Sequence, residues 1–283
     1  MKVRKATVAN AFYAGKESEL TDQLIECFTS RFGPGQVPKP AEHGPRKIFG
    51  IVCPHAGYMY SGAVAANGYA KLANDGLPEA FVILGPNHTG YGSGVSIMTE
   101  GGWETPLGVS LIDSVLAQQI QKGSSIIDID EEAHAYEHSI EVQLPFIQFL
   151  FKDAAKFVPI CMMMQDLRTS REIAKTLVEQ LKGKDILIVA SSDFTHYEPH
   201  DAVVRKDEMA IDAITRLDDA ALNDLGESSK VTMCGYGPIT TLMAAAKLLG
   251  GVRAELLTHK TSGDVTGDKS AVVGYSSLVF LRD

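Results

Sequence analysis

The 283-residue chain lacks most of the features that mark out protein classes at a glance. No apolar run approaches the roughly 20 residues that a bilayer-crossing helix needs, so a membrane partner is not expected. The opening stretch MKVRKATVANAFYAG has basic residues but no apolar segment behind them, and it does not read as a secretory signal. No basic block offsets the formal net charge of −9, which argues against nucleic acid as a partner. Cysteine is sparse: Cys27, Cys53, Cys161 and Cys234 show no paired spacing. Reduced thiols in a cytoplasmic protein, three of them buried, are expected rather than a disulfide framework. The phosphate loop GxxxxGK followed by Ser or Thr, the dinucleotide fingerprint GxGxxG, the zinc-protease HExxH and the nucleophile elbow GxSxG are all missing. There is no internal repeat, no low-complexity tract and no long polar linker, so residues 1–283 are expected to form one domain.

What is present is an alternation of apolar runs with helix-period segments. Residues 17–32 carry Leu20, Leu24, Phe28 and Phe32 at helical spacing, and residues 33–47 form a Pro/Gly loop. Continuous apolar runs at 48–53, 81–85, 156–162 and 185–191 read as strands buried on both faces. Short strands are expected at 95–99 and 109–112 around a turn at 104–108, with 254–259 and 271–281 completing the sheet. Helices are expected over 61–73, 114–121, 139–151, 170–181 and 201–216, and one more entered through Pro238. The pattern is that of an α/β layer protein with helices on both faces of the sheet.

Three of the buried strands end in the same way. IFGIVC runs into Pro54-His55, FVILG into Pro86-Asn87-His88, and ILIVAS into Ser192-Asp193 and then His196. In open α/β sheets, ligands bind in the crevice beyond the carboxyl ends of the strands. One histidine after a strand is ordinary; the repetition on three strands points to a site, since imidazole is the commonest metal ligand and moves protons near neutral pH. Cys234, in VTMCGYGP, sits in a glycine-flanked turn before a helix, where the helix N-terminus favours thiolate. It is the candidate anionic ligand beside His55 and His88, while Cys53 reads as core. Glu137, His138 and Glu141, in YEHSIEVQLPF, are candidates for a supporting role behind the metal or in the cleft. His43, His134, His200 and His259 have no such context and read as surface residues.

With PHAGYMYSG, ILGPNH, TPLG, EHSIEVQLPF, SSDFTHY and CGYGP in this order along nearly the whole chain, the sequence closely resembles the Memo family. The resemblance implies a single α/β/α domain around a mixed central sheet, similar to the class III extradiol ring-cleaving dioxygenases. It also implies a metal-binding cleft lined by His55, His88 and Cys234, with Asp193 and His196 beside them. Prokaryotic members often resemble the B component of the AmmeMemoRadiSam system, which implies a radical SAM protein as a partner. Eukaryotic members are linked to receptor signalling, phosphotyrosine-peptide binding and copper- or iron-dependent redox chemistry. Where those relatives have a Trp-Tyr pair near the N-terminus, this chain has Phe12-Tyr13 at the expected cleft mouth. The ring is kept but the indole N–H is not, and no basic patch is present to grip a phosphate.

The expected chemistry follows from the ligand set. Two histidines and one anion on a divalent ion match the charge of the dioxygenase site, with Fe(II) favoured and copper or zinc as alternatives given the softer sulfur. The expectation is a metal-dependent oxidoreductase acting on a catechol-type or other small substrate, with His196 as acid/base and Asp193 beside it. The alternatives are a zinc site that activates water and a cleft that binds a peptide or partner protein without chemistry.

Overall fold

A computed structural model describes residues 1–152 and 155–283. In chain order the strands are β1 (Val3–Arg4), β2 (Ile48–Cys53), β3 (Ala80–Pro86), β4 (Val95–Ile97), β5 (Gly102–Thr105), β6 (Gly108–Leu111), β7 (Asp128–Ile129), β8 (Phe157–Met162), β9 (Ile186–Ser191), β10 (Val252–Thr261) and β11 (Gly274–Arg282). The helices are α1 (Glu17–Thr29), α2 (Tyr58–Asp75), α3 (Ser114–Lys122), α4 (Glu132–Ala135), α5 (Leu144–Phe151), α6 (Leu167–Gln180), α7 (His200–Thr215), α8 (Asp219–Glu227), α9 (Tyr236–Leu249) and α10 (Ser262–Thr266).

The main sheet has eight strands in the order β10-β11-β2-β9-β3-β8-β4-β7. Its centre, β2-β9-β3-β8, is parallel, and every residue of those four strands is buried. Strands buried on both faces need apolar side chains at every position rather than at alternate ones, which is why their sequences run IFGIVC, AFVILGP, FVPICM and ILIVAS. β11 is antiparallel to β2, β10 to β11 and β4 to β8, so the sheet is mixed. Helices α1, α2 and α5 pack together on one face, and α6 and α9, with α3 and α8 against them, on the other. The buried apolar side chains of both layers and the sheet join in one continuous cluster.

Two expectations change. Residues 95–99 and 109–112 do not flank a common turn: β4 joins the main sheet beside β8, while β6 pairs with β5. β1 adds to β5, giving a separate three-stranded sheet around the buried Trp103. Short strands have little sequence signal of their own, and their partners are chosen by long-range packing. The helix expected from residue 139 starts later. Glu141–Gln143 form a single 3₁₀ turn, and α5 begins at Leu144 with Pro145 in its first turn. The backbone at 136–140 is therefore free to run across the strand ends, which matters for the site.

Candidate metal centre

The adjacency β2-β9-β3 brings three strand exits side by side. Pro54-His55 leaves β2, Ser192-Asp193 leaves β9 between its neighbours, and Asn87-His88 leaves β3. Asn87 builds the last turn: its Oδ1 accepts from the Thr89 and Gly90 amides, both at 2.9 Å. An Asx turn of this kind ends a strand sharply and aims the next side chain outward. A buried amide, Gln143, ties the other two exits together. Its Nε2 donates to Pro54 O at 3.0 Å and to Ser191 Oγ at 2.8 Å, and its Oε1 accepts from the Tyr69 hydroxyl.

His55, His88 and His138 converge, with one possible ligand atom from each lying within 4.8 Å of the others. His55 is buried at the floor, His138 is partly buried and His88 is open to solvent. The imidazole pairs stand with ring centroids 5.1 Å (His55–His88), 5.4 Å (His55–His138) and 4.5 Å (His88–His138) apart. This group can hold a metal ion.

The partners of the rings decide where their protons sit. His88 Nδ1 lies 2.9 Å from Glu137 Oε1, and His138 Nδ1 lies 3.4 Å from the same oxygen. A carboxylate only accepts, so His88 Nδ1 carries hydrogen. His55 Nδ1 lies 2.9 Å from Ser191 Oγ. That hydroxyl gives its own proton to Ser139 O at 2.7 Å and receives one from Gln143, so toward His55 it accepts. In their neutral form His55 and His88 therefore carry the lone pair on Nε2. Burial, and the neighbouring histidines after it, hold His55 well below the ordinary histidine range. Burial likewise lowers His138 to about 4, against the opposing pull of Glu137. Glu137 is itself fully buried. Burial raises its carboxyl, but the hydrogen bond and charge of His88 outweigh this and bring it to about 2. A carboxylate behind the Nδ1 of a histidine is the arrangement that orients metal-ligating imidazoles.

Cys234 stands next to this group, its Sγ 3.1 Å from His55 Nε2 and 3.3 Å from the Asp193 amide, which donates to it. Its thiol is not pre-ionised as its place before α9 suggests: burial first, and the charge of Asp193 second, push it up. In the absence of a cation the thiol donates to His55 Nε2, and a bound cation would be what releases its proton. Asp193 is nearly buried, and its Oδ1 accepts from the His55 amide at 2.8 Å and the Ala56 amide at 3.3 Å. Burial raises this carboxyl, and the two amides oppose the rise. His196 Nδ1 donates to Thr232 O at 2.8 Å, because a carbonyl cannot donate, and this leaves Nε2 as an acceptor. A cavity of about 720 Å³ opens over the group, bordered by Phe12, His55, His88, His138, Asp193 and His196. Its size suits a small molecule.

The structure therefore brings together His55, His88, His138, Cys234, Asp193 and His196. His138 moves from its expected supporting place into the ligand group, and Glu137 takes the supporting place alone. Phe12 lines the cavity, its ring 4.7 Å from that of His138. Tyr13 and Glu141 lie elsewhere: the Tyr13 hydroxyl donates to Glu141 Oε1 at 2.6 Å, both residues are buried, and neither borders the cavity. The Glu141 carboxylate also takes Arg4 Nη1 at 2.6 Å and the Thr7 and Val8 amides. Arg4 in turn donates to His134 O and Glu137 O, so this knot pins the loop that carries Glu137 and His138. Of the histidines expected at the surface, His43 is exposed, but His134 is wholly buried beside Trp103. His200 and His259 are partly buried, bonded to Thr261 Oγ1 and Asp207 Oδ2. Cys27, Cys53 and Cys161 are buried as expected.

A family profile described as Memo-like protein matches residues 4–279. A MEMO1 family protein of Methanopyrus kandleri is 47% identical over 281 residues, covering 99% of both chains. One of Pyrobaculum aerophilum is 48% identical over 284 residues, covering 100% of both. Among solved structures, an uncharacterized protein of Escherichia coli K12 superposes with a TM-score of 0.57 at 15% identity. That match covers 82% of this chain and 100% of the other, and it speaks for the fold alone.

Proposed function

The chain belongs to the Memo family, whose fold is that of the class III extradiol dioxygenases; on that premise we propose that it is a metal-dependent oxidoreductase acting on a small hydroxylated substrate of catechol type. One observation carries the reading. Three imidazoles converge at the foot of an open cavity, with a thiol 3.1 Å from one of them. His55, His88, His138 and Cys234 are the residues that would hold the ion. Iron or copper held there supplies Lewis acidity and one-electron redox capacity.

The chain's own residues supply the rest. Nε2 of His196 accepts the proton of a substrate hydroxyl, and the Thr232 carbonyl holds that ring in the tautomer able to do so. Asp193 fixes the His55 backbone through two amides and keeps the strand exit rigid. The Phe12 ring packs against that of His138 at the cavity wall. The test is metal content of protein purified without oxygen, then oxygen uptake with catechols after Fe(II) loading. Full iron occupancy without uptake across the panel would overturn the redox reading.

A second reading rests on the donor set itself. Three imidazole nitrogens are also the ligands of hydrolytic zinc sites, where the bound water ionises near neutral pH. Zinc at full occupancy, with ester hydrolysis and no oxygen uptake, would favour it.

A further inference from the structure

Tyr275 is a cavity residue that motif reading passes over, since VVGYSSLVF looks like strand and nothing more. It lies at the start of β11, the strand antiparallel to β2. Leu278 pairs with Val52 and Val279 with Ile51, so the residues before Leu278 run past the carboxyl end of β2, and Tyr275 borders the same cavity as His55. The preceding glycine locks this position. Gly274 O accepts from the Phe194 amide at 2.8 Å and Gly274 N–H donates to Thr195 O at 2.9 Å, joining β11 to the segment between Asp193 and His196. A β-carbon on Gly274 would fall inside the Asp207 carboxylate, so no side chain fits there.

Tyr275 is 2% exposed and borders the cavity. The other deeply buried tyrosine hydroxyls are all engaged: Tyr13 on Glu141, Tyr58 on Val142 O, Tyr69 on Gln143. The Tyr275 hydroxyl makes no hydrogen bond among the described residues. It is also absent from the side-chain oxygens sealed in the core without a partner, so it opens onto the cavity. Burial, with the charge of Asp193 after it, raises the phenol well above its ordinary value, so it stays a donor. A ligand that displaces water from this hydroxyl must accept its hydrogen bond or forfeit it.

We propose that Tyr275 is a specificity-determining residue whose hydroxyl donates to an oxygen of the bound ligand, selecting small molecules that present a hydroxyl, enolate or carbonyl oxygen beside the histidine group. The same cavity offers His196 Nε2 as an acceptor, so a ligand hydroxyl finds a proton acceptor as well as a donor. The inference rests on the cavity being the substrate site, but it requires neither a particular metal nor redox turnover.

The experiment is equilibrium dialysis of zinc-loaded protein against 4-methylcatechol and, separately, imidazole, comparing the native chain with Tyr275→Phe. Zinc removes oxygen chemistry from the measurement, so a failure of oxygen uptake sinks the proposed activity and leaves this test standing. Tyr275→Phe is expected to weaken 4-methylcatechol roughly 2- to 10-fold, the loss of one net hydrogen bond. Imidazole affinity, zinc content and melting temperature should not change. Equal affinity of the two proteins for 4-methylcatechol overturns the proposal. So does a parallel loss of imidazole binding, which would mark a structural role. Failure of the native zinc-loaded chain to bind 4-methylcatechol also overturns it.

Discussion

Glu137 grips His88 twice: one carboxylate oxygen lies 2.9 Å from the ring Nδ1, and the other accepts from the backbone amide of the same residue. Ring orientation, tautomer and backbone are thus set by one buried carboxylate. Glu137 also lies beside His138 and accepts from the Ser139 amide, so it organises both histidines and the loop between them. Glu137→Gln cannot accept from every one of these donors. Metal affinity is expected to fall about 10- to 100-fold, read by competition with a chromogenic chelator. Unchanged affinity would show that the carboxylate does not support the ligands.

The place of sulfur can be read by cobalt substitution. If Cys234 joins the ion, cobalt-loaded protein shows an intense near-ultraviolet thiolate band, which Cys234→Ser removes. His138→Ala is expected to keep the band while weakening cobalt binding. A native spectrum without the band would remove Cys234 from the ligand set and leave the three imidazoles.

His196 is positioned to move a proton and is not in the ligand group. His196→Ala is therefore expected to lower kcat by ~10²–10⁴-fold. Metal content should stay unchanged, measured by elemental analysis of the same preparation. A drop in metal content would recast His196 as a ligand.

The Arg4–Glu141 knot is buried, with side-chain exposures of 7% and 0%. Arg4→Ala strands the carboxylate without its guanidinium and is expected to cost about 3–5 kcal/mol in denaturant unfolding. Because Arg4 also holds the carbonyls of His134 and Glu137, the same variant should weaken metal binding. A loss below about 1 kcal/mol, the size of an exposed pair, would contradict the knot.

The same pair predicts a pH dependence. Burial raises the Glu141 carboxyl, but Arg4, Tyr13 and the Thr7 amide outweigh burial and leave it below the ordinary glutamate range. The folded state thus binds fewer protons than the unfolded one as pH falls through the unfolded value of about 4.3. The stabilisation is complete above that value and is lost as pH falls toward the folded one. Glu141→Gln should flatten this acid limb of the stability curve, measured by urea unfolding at a series of acidic pH values. An unaltered limb would mean that other carboxylates account for it.

Much of this protein is legible in its sequence because its central strands are buried on both faces. Such strands must be apolar throughout, and where the apolar run stops the crevice begins. His55, His88, Asp193 and His196 are found by that rule, and Cys234 by the glycines around it. Local pattern carries less for residues whose neighbours come from far along the chain. His138 reads as a supporting residue at the entry to a helix until the late start of α5 frees its backbone to cross the strand ends. Tyr13 and Glu141 read as cleft residues until the N-terminal segment is seen folded over them. Tyr275 carries no signal at all, because only the antiparallel packing of β11 beside β2 brings it to the cavity that His55 borders. Composition and apolar periodicity determined the layers and the strand exits, since burial acts on each strand where it stands. Which donors share one cavity was decided by strand order and register, since those join residues more than two hundred positions apart.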